Sequence, residues 1–268
     1  MASPRGERWL LGVVGALLAA FLALPLFALF ATATASDVQL GLAHPLVWPA
    51  LRLSLLTTTA TLLIVVAFGT PLAWTLARTR TGLAQWVETA IQLPIVIPPA
   101  VAGVALLLAF GRRGLLASLL YPEVQSLSFT TAAVVMAEVF VSAPFFVQAA
   151  ISAFRRLDPK LIVVARTLGA SPLRVFFRVG LPLAAPGLVA GAAMCWARAL
   201  GEFGATLMFA GNLEGRTQTL PLAIYTALET ELRAAQALSM VLVVVAFALL
   251  LFVRAALRRA GERAGAGS

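Results

Sequence analysis

The chain has 268 residues, of which 61% are hydrophobic and 12% charged, with 20 Lys+Arg against 11 Asp+Glu. A water-facing domain usually has about a quarter of its residues charged, so a soluble globule is excluded; hydrophobicity this high also excludes intrinsic disorder. One cysteine rules out an internal disulfide, and a single histidine leaves little material for metal or acid/base chemistry.

The apolar residues fall into six blocks, roughly 9–30, 51–77, 90–110, 129–153, 180–209 and 235–256. Several reach the ~20 residues that a helix needs to cross a ~30 Å hydrocarbon core. The fold class expected is all-α, a polytopic membrane protein of about six transmembrane helices. Arg5 and Arg8 precede the first block, which runs well past the ~7–15 apolar residues of a signal peptide, so an uncleaved span is expected. His44, beside Pro45 and Trp48, belongs at the outer interface, where tryptophan anchors are enriched. It is assigned no chemistry.

With six spans and the N-terminus inside, fourteen basic residues flank spans on the cytoplasmic side. Five (Arg52, Arg112, Arg113, Arg216, Arg233) lie outside, and Arg198 lies within a span. This split obeys the positive-inside rule and puts both termini in the cytoplasm. The net charge of +9 therefore reads as topology, and because the charges form no stripe, no nucleic-acid partner is expected. Residues 1–257 read as a single transmembrane domain, and 258–268 (RRAGERAGAGS) as a disordered cytoplasmic tail. No Gly-rich loop followed by Lys-Ser/Thr occurs, so any ATP must be handled by a partner.

The stretch 155–178, between the fourth and fifth blocks, carries the most local information. Asp158-Pro159 is a helix start, with a capping acceptor followed by proline at the first helical position. Gly169, followed by Ala170, is a natural stop. Leu161, Val164, Ala165 and Leu168 share one stripe at i, i+3, i+4, i+7 spacing, with Lys160 and Arg166 off it. Ser171-Pro172 repeats the start signal. The spacing permits a helix lying on lipid headgroups or a rigid knob that docks into another protein.

Ionisable groups inside the blocks have two readings each. Arg198 and Glu202 lie four apart on one helical face, either as an ion pair locking the fifth helix or as part of an anion route together with neighbouring Phe203. Glu138 either bonds a neighbouring helix or belongs to a pathway or gate, and Pro144 in the same block introduces a kink. Gly187 and Gly191 form a small-xxx-small pair, and Gly201 and Gly204 thin the helix further along. These glycines permit close packing, within the chain or against a second copy.

The segment from Arg155 to Leu188 resembles the cytoplasmic loop of permease subunits from bacterial ABC importers, whose pattern is Glu-Ala-Ala, three residues, Gly, then Leu-Pro and Pro-Gly. Val163-Val164-Ala165 stands at the triplet, Gly169 at the glycine, and Leu181-Pro182 and Pro186-Gly187 at the later pairs. The Glu and first Ala of the pattern are replaced by valine. LPIVIPPAVAGVALLLAFGRRGLL (93–116), WARALGEFGATLMFAGN (196–212) and RTQTLPLAIYTALE (216–229) resemble molybdate permeases within the molybdate, tungstate and sulfate group.

The resemblance implies a type I importer permease of the inner membrane that forms the path of an oxyanion, molybdate first, with tungstate or sulfate/thiosulfate as alternatives. Implied partners are a second copy of the chain, two ABC ATPase subunits docking on the 158–170 helix, an extracytoplasmic oxyanion-binding protein, and the bilayer. No cofactor, metal site or catalytic residue is expected, with ATP hydrolysis in a partner. A membrane enzyme would need a Ser/His, paired-Asp or His-metal set inside the blocks, and only two Asp residues occur, both in loops. The remote alternative is an ion-driven carrier, which predicts discontinuous helices in related halves; the sequence shows no such internal symmetry.

Overall fold

Among the described residues, five helical runs are long and apolar enough to cross a membrane: Leu11–Ala31, Val47–Arg78, Thr131–Arg155, Pro172–Leu200 and Leu232–Phe252. The structure, a computed structural model, describes residues 4–116 and 127–265, and within them every regular element is a helix. In chain order these are α1 (Pro4–Ala31), α2 (Ala35–Leu42), α3 (Val47–Arg78), α4 (Gly82–Val96), α5 (Pro99–Phe110), α6 (Thr131–Arg155), α7 (Pro159–Thr167) and α8 (Pro172–Val175). A π-helical turn (Phe176–Gly180) leads into α9 (Leu181–Leu200), followed by α10 (Gly204–Ala210), α11 (Leu220–Thr230) and α12 (Leu232–Gly265).

The block at 90–110 departs from the expected straight span. Its helix begins at Gly82, stops at Val96, and restarts at Pro99 with a bend of 117°. Pro98 and Pro99 have no N–H to continue the ladder, and Pro98 forces Ile97 out of the helical region, to φ −71°, ψ 141°. Only if α4 and α5 are counted as one bent span does the number of spans reach six. The block at 180–209 is also interrupted. It starts earlier, at Pro172, and breaks at Gly201–Phe203, with α10 as a separate short helix. Two discontinuous helices therefore exist where hydropathy alone shows unbroken blocks.

At the far end, α12 continues to Gly265, past the position where a disordered tail is expected to begin at 258. Within this extension Arg258, Arg259, Ala260, Glu262, Arg263 and Ala264 are strong helix formers and outweigh Gly261. The last three residues of that expected tail lie outside the described residues.

Helix α6 is the centre of the bundle. One side packs on α3 and α9 around Phe146, Val147, Ile151 and Phe154; the other packs on α5 and α10 around Val134, Val141 and Phe209. In lipid, packing must replace the hydrophobic drive, and small residues supply it. A methyl added at Gly187 would lie 2.6 Å from Ala153 Cβ, and one at Gly191 2.7 Å from Ala149 Cβ. The pair therefore serves contact between α9 and α6 within the chain. Gly204 meets Pro99 in the same way, at 2.7 Å, joining the two half-helices α10 and α5. Gly201 is different: it is exposed, its nearest atom would be Ala197 O at 3.8 Å, and it marks the end of α9 rather than a close approach. Helix α6 runs unbroken through the buried Pro144.

A third cluster, including Val47, Leu220, Ala223 and Leu238, ties the start of α3 to α11 and α12. Helix α1 buries none of its apolar stretch. It is tied to α12 by Gln236 Nε2, which donates to Leu29 O and Thr32 Oγ1. His44 accepts a bond from Leu46 N in the turn before α3, a local structural task.

Candidate functional site

Helix α7 forms as its sequence dictates. Asp158 Oδ1 accepts from Lys160 N at 2.9 Å and Pro159 takes the first helical position. At the other end Gly169 sits at φ +83°, Ala170 N donates to Ala165 O and Gly169 N to Arg166 O, both at 3.0 Å. That pair of bonds is a Schellman closure, which needs the left-handed residue that glycine supplies. Ser171 then caps the next helix through Arg174 N. The result is a short rod closed at both ends.

None of its residues is buried. Leu161 is 47% exposed and Leu168 82%, with Val163 and Val164 between them also exposed. The stripe of Leu161, Val164 and Leu168, with the half-buried Ala165, is thus an apolar face that the chain itself leaves largely uncovered. Arg166 is exposed beside it. Gly169→Ala is expected to fray this closure. Nothing lies within 4 Å of the new methyl, so the cost is backbone strain alone, about 1 kcal/mol. Hydrogen exchange should rise at the Gly169 and Ala170 amides and stay unchanged in α6; protection of those amides at wild-type level would refute the closure.

The polar groups of the spans form a seam through the bundle. Glu138, 1% exposed, accepts from Thr57 Oγ1 at 2.8 Å and Thr61 Oγ1 at 2.9 Å, joining α6 to α3. One turn along, Ser142 Oγ donates to Glu138 O, and Cys195 Sγ on α9 donates to Ser142 Oγ at 3.4 Å. Trp196 Nε1 donates to Thr58 Oγ1 at 2.8 Å, and Ser54 Oγ accepts from Leu220 N at 2.8 Å, extending the seam to α9 and α11. Sequence reasoning found Glu138 but missed Ser54, Thr57, Thr58 and Thr61. Their signal was present: they stand at i, i+3, i+4, i+7, one polar face inside an apolar block.

Arg198 and Glu202 form the expected ion pair, Nη2 to Oε2 at 2.8 Å, although the N–H does not point at that oxygen. Glu202 is 2% exposed, and its other oxygen accepts from Ala205 N at 2.8 Å. Its carboxylate therefore caps α10 where the fifth block breaks. Arg198 keeps about a quarter of its side chain exposed. Phe203, in the break itself, lies against Tyr225 of α11 with ring centroids 5.5 Å apart. The pair and Phe203 come together at one site, whereas α7 belongs to another. The buried Thr206 and Thr219 hydroxyls have no hydrogen-bond partner among the described residues, a feature with no sequence signal of its own.

The chain is similar to known transport proteins. The family described as binding-protein-dependent transport system inner membrane component matches residues 68–264. The molybdenum transport system permease protein ModB of Mycobacterium tuberculosis is 49% identical over 206 residues, 77% of this chain and 78% of the relative. The molybdate/tungstate transport system permease protein WtpB of Pyrococcus abyssi is 40% identical over 205 residues, 75% of this chain and 77% of the relative. A chain of the bacterial alginate ABC transporter, solved in complex with an alginate-bound periplasmic protein, superposes with a TM-score of 0.75 at 16% identity. It covers 95% of this chain and 96% of that one, a likeness of fold alone. The chain is a multi-pass membrane protein of the binding-protein-dependent transport system inner membrane component family.

Proposed function

We propose that the chain is the permease subunit of an ATP-driven importer for a tetrahedral oxyanion, molybdate first. The observation that carries the substrate is the 49% identity to the mycobacterial molybdenum permease across three quarters of the chain. The observation that supports coupling is α7, a rod capped at both ends with an apolar stripe the chain leaves largely uncovered. A separate ATPase docks there, two copies of it serving two copies of the permease. An extracytoplasmic binding protein delivers the anion to the opposite end of the bundle. The distribution of basic residues supports a cytoplasmic position for α7 and both termini. Tungstate is the second reading of the cargo, favoured by the similarity to the archaeal molybdate/tungstate permease.

The test is ATP hydrolysis by the complex of this chain with its ATPase in liposomes, with the binding protein added empty or loaded with molybdate, tungstate or sulfate. Stimulation by the molybdate-loaded form above the sulfate-loaded form supports the assignment. Equal stimulation by all three would remove molybdate as the particular cargo, and no stimulation by any would remove oxyanions altogether.

Within the spans, the partly exposed Arg198 and Phe203 are assigned to the route, and the buried Glu138 and Glu202 to bracing it. Conduction needs a site that attracts the anion yet releases it, and a paired guanidinium meets both conditions. Arg198→Ala is expected to lower molybdate uptake at least about tenfold, the effect of losing ~1.4 kcal/mol of attraction, at normal protein level. Unchanged uptake would leave Arg198 with only its pairing to Glu202.

A further inference from the structure

A cavity of about 550 Å³ lies at the end of the bundle that carries α7, unused by either the docking stripe or the polar seam. It is walled by the C-terminal ends of α3 and α6 and the starts of α4 and α7, with Arg78, Arg80, Gln85, Arg155, Pro159 and Ile162 among its lining. Arg155 is already neutralised: its two terminal nitrogens bond the carboxylate oxygens of Glu88 at 3.0 and 2.6 Å. Arg78 and Arg80 have no carboxylate partner among the described residues. Arg78 is nevertheless fixed in place, its guanidinium stacked 3.6 Å from the centre of the Trp74 ring. The α4 start adds its positive helix end, with no acidic residue in the first turn to cancel it.

The same Trp74 lines a second cavity, of about 720 Å³, between α3, the π-helical turn and α9. Its walls are almost wholly apolar, including Val66, Phe177, Leu181, Leu188 and Val189. Trp74 thus carries Arg78, which lines the cationic cavity, and itself lines the apolar groove. An inorganic anion would satisfy only the first, and an acyl chain only the second.

We infer that the two cavities together bind one anionic phospholipid, with its phosphate held by Arg78 and Arg80 and an acyl chain in the α3–α9 groove. Guanidinium groups suit the phosphate because they donate several hydrogen bonds in a planar fork, and basic residues at a membrane's cytoplasmic surface attract anionic headgroups. Because Pro159 and Ile162 line the headgroup cavity, the bound lipid braces α7 against α3 and α4. Lipid composition thereby acts on the position of the docking helix.

The experiment uses the complex of the chain with its ATPase in mild detergent, incubated with phosphatidylglycerol or phosphatidylcholine, with bound lipid read by native mass spectrometry. Phosphatidylglycerol is expected to be retained in preference. Retention should fall about fivefold in R80Q, which keeps the Trp74 stack, and roughly tenfold or more in R78Q/R80Q. R112Q/R113Q removes the same charge at another loop and is expected to retain lipid normally. Unchanged retention in R78Q/R80Q overturns the site. Displacement of the lipid by inorganic phosphate or molybdate at millimolar concentration overturns the lipid assignment in favour of a free anion. A complex that holds no lipid overturns it too, and leaves the groove to a second copy of the chain. Because the readout is lipid and not transport, failure here is distinct from failure of the oxyanion reading.

Discussion

Replacing Leu161 and Leu168 together by aspartate is expected to abolish association with the ATPase and, with it, ATP-driven uptake. Both leucines lie on the stripe of α7, 47% and 82% exposed, so the chain alone covers little of Leu168 and only half of Leu161. Seating one leucine in a partner's groove is worth about 1.5–3 kcal/mol, and a carboxylate in its place must be desolvated as well. Two such changes remove at least ~4 kcal/mol, about a thousandfold in affinity. The permease should remain folded, because no residue of α7 is buried and both of its caps, Asp158 and Gly169, are untouched. L161A/L168A, which loses burial without adding charge, should weaken association by a smaller factor. Co-purification with the ATPase at wild-type yield in the aspartate variant would show that α7 is not the docking element.

How much of this was legible in the sequence varies with the kind of signal. Helix α7 was readable almost to the residue because its boundaries are written in local chemistry, Asp-Pro at the start and a left-handed glycine at the end. The membrane helices α3, α6 and α12 were readable from hydropathy because their blocks are long and the single prolines within α3 and α6, Pro71 and Pro144, do not interrupt them. Hydropathy is blind to direction, however, and the 117° turn at Ile97–Pro98 leaves composition unchanged. The tandem proline, Pro98-Pro99, was the available signal. The interruption at Gly201–Phe203 is harder to see. No proline stands there, and α10 is held by contacts from distant sequence, Gly204 on Pro99 and Gly103 on Met208.

The ionisable residues show the same division. Arg198 with Glu202 follows from helical spacing, and the pair exists. The second role of Glu202, capping α10, depends on the break and was invisible without it. The partners of Glu138 are 81 and 77 residues away, a pairing that no local pattern specifies. Even so, the Ser54, Thr57, Thr58, Thr61 face announced that something polar would meet α3. In an apolar solvent a row of hydroxyls at helical spacing must face protein or fold back on its own backbone. Both happen: Thr58 and Thr57 also reach Ser54 O, while Thr57 and Thr61 meet the carboxylate.

That geometry sets the second large expected effect, at Glu138. Its side chain fills the contact between α3 and α6 and is essentially unexposed, so Glu138→Ala removes two hydrogen bonds accepted by the carboxyl oxygens and opens a void. The expected cost is about 2–4 kcal/mol, read as a lower thermal unfolding midpoint of the purified permease in detergent. Glu138→Gln separates bracing from a role in the pathway. Glutamine keeps the volume and one acceptor oxygen, and the hydroxyl left over has a fallback, Thr57 to Ser54 O at 3.3 Å or Thr61 to Val135 O at 3.4 Å. If Glu138 braces α3 against α6, E138Q should stay within about 1 kcal/mol of wild type and transport normally. Wild-type stability with uptake reduced tenfold or more would mean that the carboxylate itself acts on the passing anion, and Glu138 would move from the brace to the route. An alanine variant as stable as wild type would refute the brace directly, since a void and two displaced hydroxyls at a buried helix contact cannot be free of cost.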